Sequence, residues 1–200
     1  MTTVSRPAAA PQASRKALID ELKKHALVVE EVTLSSGAKA EYFIDAKRVI
    51  LQPSGFWLLA EQIDHYVQEL GATAVGGLTL GADAIACAAL VNRTANVKGF
   101  FVRKEPKPHG LQKLIEGPPL EPGDRCLIVD DVVTSGASTI KAIKAIQGLH
   151  EHEIEICGVL AILDRLAGGA EDIEDAAGAP FVALTTIEDV YPARPDRKPA

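Results

Sequence analysis

Two adjacent carboxylates, Asp130 and Asp131, close the apolar run Cys126–Val129 and stand just ahead of Thr134, Ser135, Gly136, Ala137 and Ser138. An ionised carboxylate only accepts hydrogen bonds, so a pair of them suits the hydroxyls of a vicinal diol. Hydroxyl side chains and unencumbered backbone N–H groups at the start of a helix suit a phosphate monoester dianion. A ribose 5-phosphate satisfies both halves. The loop has no lysine and lacks the GxxxxGK[ST] spacing, which disfavours a nucleoside triphosphate cradle. Without further context, the plain alternative is a helix N-cap beside two solvated aspartates.

A second chemical stretch is FFVRKEPKPHG, Phe100 to Gly110. It gathers Arg103, Lys104, Lys107 and His109, while Pro106, Pro108 and Gly110 exclude a helix or central strand. A cationic loop of this kind can stabilise charge developing on an anionic leaving group, and the polar connection up to Asp124 gives it room to act as a lid. The segment from Arg103 to Gly117 is therefore expected to be mobile when empty and to order with ligand. Its bland alternative is a solvated basic hairpin.

These loops need a frame that aims them. Apolar spacing predicts an amphipathic helix from Ser14 to Leu27, capped by Ser14, and a second opened by Ser54 and stopped by Gly71, with Phe56 and Trp57 as packing residues. AVGGL, VKGFFVRK, Cys126–Val129, EICGVLAILD and PFVAL read as strands. An alanine-rich helix follows the first of them, and Ile140, Ile143, Ile146 and Leu149 mark a helix closed by Gly148. Strand and helix alternate through most of the chain, so the expected fold is α/β with a mainly parallel central sheet flanked by helices. The acidic pair then lies at the carboxyl end of a strand, where ligands bind in such sheets.

The chain of 200 residues is expected to form a single domain at 14–192, with a hood at 14–53 and the α/β core at 54–192; residues 1–13 read as a disordered leader and 193–200 as a tail. A net charge of −6 without a Lys/Arg block argues against nucleic acid or an anionic membrane as partner. Cys87, Cys126 and Cys157 lie far apart in apolar stretches and read as reduced core residues, and no apolar run reaches a membrane span; a cytoplasmic location is expected.

The stretch DDVVTSGAS after LIV resembles the phosphoribosyl pyrophosphate signature of type I phosphoribosyltransferases, and RKExKxHG resembles the catalytic loop of the orotate phosphoribosyltransferases within that family. TLSSG (Thr33 to Gly37) with YFID (Tyr42 to Asp45) is similar to the family's N-terminal hood, GGLTLGAD to its pyrophosphate turn, and LDR, ending at Arg165, to the segment that supplies an arginine to the orotate carboxylate. The likeness runs from about residue 15 to about residue 190. It implies a type I phosphoribosyltransferase-like fold with a small N-terminal hood and the conversion of orotate and phosphoribosyl pyrophosphate to orotidine 5′-phosphate and diphosphate in pyrimidine synthesis. Carried over by position, Arg103, Lys104, Lys107 and His109 face pyrophosphate, and Asp130, Asp131, Val132, Val133, Thr134, Ser135, Gly136, Ala137 and Ser138 hold the ribose 5-phosphate. Lys104, Lys107, His109 and Asp131 carry catalysis, while Phe43, Ile44, Thr134 and Arg165 frame orotate. A planar guanidinium suits a carboxylate independently of the resemblance, although Arg165 has Glu171 and Asp172 nearby as alternative partners. The resemblance further implies Mg2+ carried on the diphosphate, with no direct protein ligand, and a homodimer in which Lys104 crosses to the neighbour's site.

Two positions depart from the family pattern. Ser35 and Leu80 stand where many members have lysine, so the turn at Gly77–Gly81 is left to bind through backbone N–H groups. Three other readings remain at this point: a purine or other nucleobase phosphoribosyltransferase, a non-catalytic nucleotide-sensing regulator of the same fold, and a fusion to the next enzyme of the pathway, for which this length leaves no room.

Overall fold

The computed structural model describes residues 6–30, 32–33, 39–91, 96–105, 114–149 and 153–197. The chain opens with α1 (Gln12–Glu21), which runs through one π turn (Leu22–Ala26) into β1 (Leu27–Val28). Short elements follow: β2 (Val32–Thr33), β3 (Lys39–Ala40), β4 (Phe43–Ile44) and α2 (Lys47–Ile50). The core comprises α3 (Pro53–Leu70), β5 (Ala74–Leu78), α4 (Asp83–Leu90), β6 (Lys98–Val102), β7 (Ile115–Glu116), β8 (Arg125–Val133), α5 (Ala137–Gln147), β9 (Glu155–Asp164), α6 (Gly169–Ala177), β10 (Phe181–Thr186) and α7 (Ile187–Val190).

Six strands form one sheet in the order β10-β9-β8-β5-β6-β7, parallel except for β7 at the edge. Strand β8 shows how the sheet is buried. Cys126 and Ile128 join the core beneath α5 and α6, whereas Leu127 and Val129 join the core that includes α1, α3 and α4. Successive strand residues point to opposite faces, so a sheet covered on both sides needs the unbroken apolar run seen in the sequence. From β5 the chain goes to β6 on one side, and from β8 to β9 on the other. The carboxyl ends of β5 and β8 thus form the switch point where open α/β sheets take ligands. Two small antiparallel pairs, β1 with β4 and β2 with β3, lie in the N-terminal stretch expected to form the hood.

Several local expectations change. The first helix starts at Gln12 rather than at a Ser14 cap; Ser14 lies inside it, where its hydroxyl donates to Pro11 O and accepts from Gln62. Residues 6–13 are not wholly a loose leader, since Ala10 is buried in the core and donates its N–H to Tyr66 Oη. Residues 1–5 lie outside the described set. Trp57 is 62% exposed and does not pack in the core, though it meets Phe56 edge to face. Cys126 and Cys157 are buried, with thiols pushed by burial up to about 12 and about 11, but Cys87 is exposed on α4. No described helix is long and apolar enough to cross a membrane.

Candidate active site

The strand carrying the acidic pair does not stop at Val129 as the sequence suggests. It continues to Val133 because Asp130, Val132 and Val133 pair with Ala161, Leu163 and Asp164 of β9. Asp130 and Asp131 are therefore strand residues, and the alternation of the strand separates them. Asp130 points to the α5 side, where the Thr139 hydroxyl donates to Oδ2 at 2.7 Å and the Asp131 N–H to Oδ1 at 3.0 Å. Its side chain is buried, and burial, with the charge of Asp131 adding, raises its pKa to about 6 despite the Thr139 bond. Asp131 points to the hood side. There Lys47 Nζ donates to its Oδ2 at 2.9 Å, while its Oδ1 accepts the Val132 N–H.

The loop after β8 turns at Gly136, whose φ of 74° lies in the left-handed region that glycine adopts without strain. An added Cβ would also come within 2.9 Å of Ile173 Cγ1. This turn starts α5 at Ala137, leaving the first N–H groups of the helix directed at the loop mouth. Thr134, Ser135, Ala137 and Ser138 are exposed around that mouth. Val132 and Val133 are not: their side chains pack in the two halves of the core, the Val132 N–H is taken by Asp131, and Val133 O accepts from the Arg165 N–H. Their side chains thus serve the sheet and the core, and a ribose phosphate contact at these two positions would fall to the main chain.

A cleft of about 290 Å³ lies between the β5 turn and the acidic pair, with Lys47, Lys104 and Ser138 also on its walls. Gly81 makes this proximity possible, since a Cβ there would stand 2.5 Å from Asp131 Oδ1 and 3.0 Å from Asp130 Oδ1. In the turn the Thr79 N–H is engaged by Val102 O, and Gly77 is inside the β5–β6 ladder, so Leu80 and Gly81 are the positions at its tip. Leu80 is 74% exposed and brings no charge.

Arg103 and Lys104 leave β6 at the same end of the sheet. Arg103 lies within 3.5 Å of Glu116, and the Lys104 carbonyl accepts from Lys141 of α5. Lys107 and His109 lie outside the described residues, as does most of TLSSG including Ser35. The Arg103–Gly117 lid expectation falls largely on the same segment.

On the other side of the loop, Arg165 leaves β9 and stacks over Tyr42, 5.0 Å from the ring centroid, donating to Tyr42 Oη at 3.0 Å. Tyr42 in turn donates to the carboxylate of Asp196 at 3.0 and 3.1 Å, and Arg165 approaches Asp196 at 4.0 Å. Burial is the main cause that raises the Tyr42 pKa. Neither Glu171 nor Asp172 is an ion-pair partner of Arg165 among the described contacts. Phe43 is half-exposed, but Ile44 is buried in the core opposite Leu27 and can offer a ligand only its main chain. Lys47, Thr139, Tyr42 and Asp196 were not singled out by sequence. The basic pair Lys47–Arg48, directly after YFIDA, was the one available signal.

No family model matches the chain. It is 42% identical over 181 residues to the orotate phosphoribosyltransferase of Rhodopirellula baltica, covering 86% of this chain and 91% of that protein. The solved orotate phosphoribosyltransferase of Mycobacterium tuberculosis, in complex with Fe(III) dicitrate, superposes with a TM-score of 0.77 at 34% identity, covering 89% of this chain and 99% of that one. The same enzyme in complex with 5-phospho-α-D-ribosyl 1-diphosphate gives a TM-score of 0.72 at 32% identity, covering 88% and 98%.

Proposed function

The chain belongs to the orotate phosphoribosyltransferase family of pentosyltransferases, and from that premise we propose that it joins N1 of orotate to C1′ of phosphoribosyl pyrophosphate, giving orotidine 5′-phosphate and diphosphate for pyrimidine synthesis. The observation that carries this reading is the meeting, at one switch point, of the β5 turn, the acidic pair and the start of α5. Asp131 accepts from the ribose diol, Thr134 through Ser138 with the first N–H groups of α5 hold the 5′-phosphate, and Arg165 takes the orotate carboxylate beside Phe43. Arg103, Lys104, Lys107 and His109 come to the diphosphate.

In the reaction the bond from C1′ to the diphosphate oxygen breaks as the N1–C1′ bond forms, through an oxocarbenium-like transition state. Orotate bound as its N1 anion leaves no proton to transfer in that step. The work of the protein is then positioning together with stabilisation of the charge gathering on the leaving group. Among the described residues no group of three or more His, Cys, Asp or Glu side chains is shaped to hold a metal. The two aspartates are engaged by Lys47 and Thr139, which suits a magnesium ion held chiefly by substrate oxygens. Such an ion would offset negative charge on the departing diphosphate.

The direct test follows the loss of orotate absorbance with phosphoribosyl pyrophosphate and Mg2+, run beside adenine, guanine and hypoxanthine. Turnover of orotate alone is expected. Turnover of a purine base instead would move the chain to another specificity, and phosphoribosyl pyrophosphate binding without turnover of any base would favour a sensor. A homodimer with shared sites is part of the same proposal, in a cytoplasmic setting. Lys104 lines the cleft of its own chain, so the assignment needs subunit mixing. An equal, freely exchanging mixture of Lys104→Ala and Asp131→Asn subunits, half of whose dimers are hybrids with one intact site in two, should recover about one quarter of wild-type activity if the lysine crosses. No recovery despite verified exchange places its action within one chain.

A further inference from the structure

A cleft that receives a diphosphate must offer fixed positive charge, because an unpaired polyanion is costly to desolvate. The tip of the β5 turn supplies none, since Leu80 is apolar. The cations among the described residues lining the cleft are Lys104, which is exposed at the start of the 104–113 connection, and Lys47, from α2. Lys47 is the anchored one. Its Nζ donates to Asp131 Oδ2 at 2.9 Å and lies 3.1 Å from Asp45 Oδ1. Asp45 is fixed in turn, because its carboxylate also accepts the Lys47 backbone N–H at 3.2 Å and its carbonyl accepts from the Arg48 N–H. Burial pulls the Lys47 pKa down, but the bonds to Asp131 and Asp45 outweigh it and the net direction is up, so the ammonium stays charged. An ammonium has three N–H donors; two are taken by carboxylates and the third remains for the cleft.

We propose that Lys47 is a substrate-binding residue of this site, donating its third N–H to the diphosphate of phosphoribosyl pyrophosphate while its other two bonds hold the ammonium between Asp45 and Asp131. The proposal deepens the reading above and rests on it. It gives the hood a chemical part in the reaction: α2 carries a cation to the wall opposite the β5 turn, where the turn itself has none. It also assigns different work to the two faces of β8. The face under α5 fixes Asp130 through Thr139, and the face under the hood couples Asp131, the diol acceptor, to the group that meets the leaving anion.

The test is calorimetric binding of Mg2+–diphosphate and, separately, of ribose 5-phosphate, to Lys47→Ala, Lys47→Gln and Lys47→Arg. Loss of a charge-assisted hydrogen bond corresponds to a weakening of about 10-fold or more. Lys47→Ala and Lys47→Gln should therefore weaken diphosphate binding by at least about 10-fold, Lys47→Arg should recover most of it, and ribose 5-phosphate binding should change by less than about threefold. Unchanged diphosphate affinity in Lys47→Gln overturns the proposal. Equal losses for both ligands overturn it as well, because they would mean that Lys47 acts only by shaping Asp131. Should the alanine variant fail to fold, the comparison of glutamine with arginine decides between the same outcomes. Neither ligand requires orotate turnover, so failure of the reaction assay and failure of the Lys47 assignment are read separately.

Discussion

The proposed phosphoribose side of the cleft is built from one continuous stretch of chain, Asp130 to Thr139, whereas the proposed base side is assembled from three distant ones: the hood at Tyr42 and Phe43, the β9 exit at Arg165, and the tail at Asp196. The first side is positioned by the sheet and by one helix start, and its geometry follows from strand alternation and a single left-handed glycine. The second depends on long-range contacts between polar side chains, and its cation is already engaged by a carboxylate of its own chain. A contiguous site is fixed when its local fold forms. A distributed site can be retuned at any of its contributors.

If that contrast holds, the largest single loss should come from the contiguous side. Asp131→Asn keeps the shape but removes a charged acceptor, worth about 1.5–3 kcal/mol, so kcat/KM should fall about 10- to 150-fold with a native far-UV spectrum. An unchanged kcat/KM would remove Asp131 from the diol. On the distributed side, Arg165→Ala should raise KM for orotate by about tenfold, the low end of the same range, and leave KM for phosphoribosyl pyrophosphate nearly unaltered, since only orotate carries a carboxylate. Equal rises for both substrates would show that the Arg165 side chain supports the site as a whole through Tyr42 and Asp196 instead.

The same division explains what the sequence alone makes legible. The five parallel strands and the α5 start were visible because burial on both faces demands unbroken apolar runs, and because Gly136 and the hydroxyls beside it mark a tight turn into a helix, whereas the two-residue antiparallel edge strand β7 left no such mark. The end of β8 was misplaced because Asp130 and Asp131 look like loop residues. Only the pairing with β9 and partners such as Thr139 make two carboxylates tolerable inside a sheet. Lys47 has only the neighbouring Arg48 and YFIDA as a local cue, and nothing beside Tyr42 or Asp196 in the sequence tells of the contacts they make. Their significance comes from partners between 84 and 154 positions away, which no spacing rule reaches. Ile44 shows the converse, a position suggested by its neighbours in YFID whose side chain belongs to the core.

Asp130 offers a smaller effect that separates fold from chemistry. Burial raises its pKa to about 6 from an ordinary 3.8, so the folded chain binds this proton more tightly than the unfolded one. The contribution of this group to stability is thus most favourable below about pH 4, declines as pH rises from about 4 to about 6, and stays low above that. Asp130→Asn can still accept from the Asp131 N–H and meet Thr139 without ionising. It should raise the melting temperature at pH 7.5 by at least about 2 °C, the shift expected from 1 kcal/mol in a chain of this size, and change it little at pH 4. Equal shifts at both pH values would mean that the ionised carboxylate is not the source of the strain.

The smallest effect belongs to the tail. Asp196 is more than half exposed at its side chain, accepts from Tyr42 Oη, and lies 4.0 Å from Arg165 and 3.4 Å from Arg194. Its attraction for Arg165 is screened by water, and pairs of this kind contribute about 0–1 kcal/mol. An incoming orotate carboxylate competes with that attraction, so Asp196→Ala should lower KM for orotate, by no more than about fivefold. Asp196→Asn gives the sharper comparison: its amide oxygen still accepts from Tyr42, so the tail stays in place while the charge is gone. If competition for Arg165 is what matters, the asparagine and alanine variants lower KM alike. If KM rises instead, the tail carboxylate orients Arg165 through Tyr42, and the base side is as preorganised as the phosphoribose side.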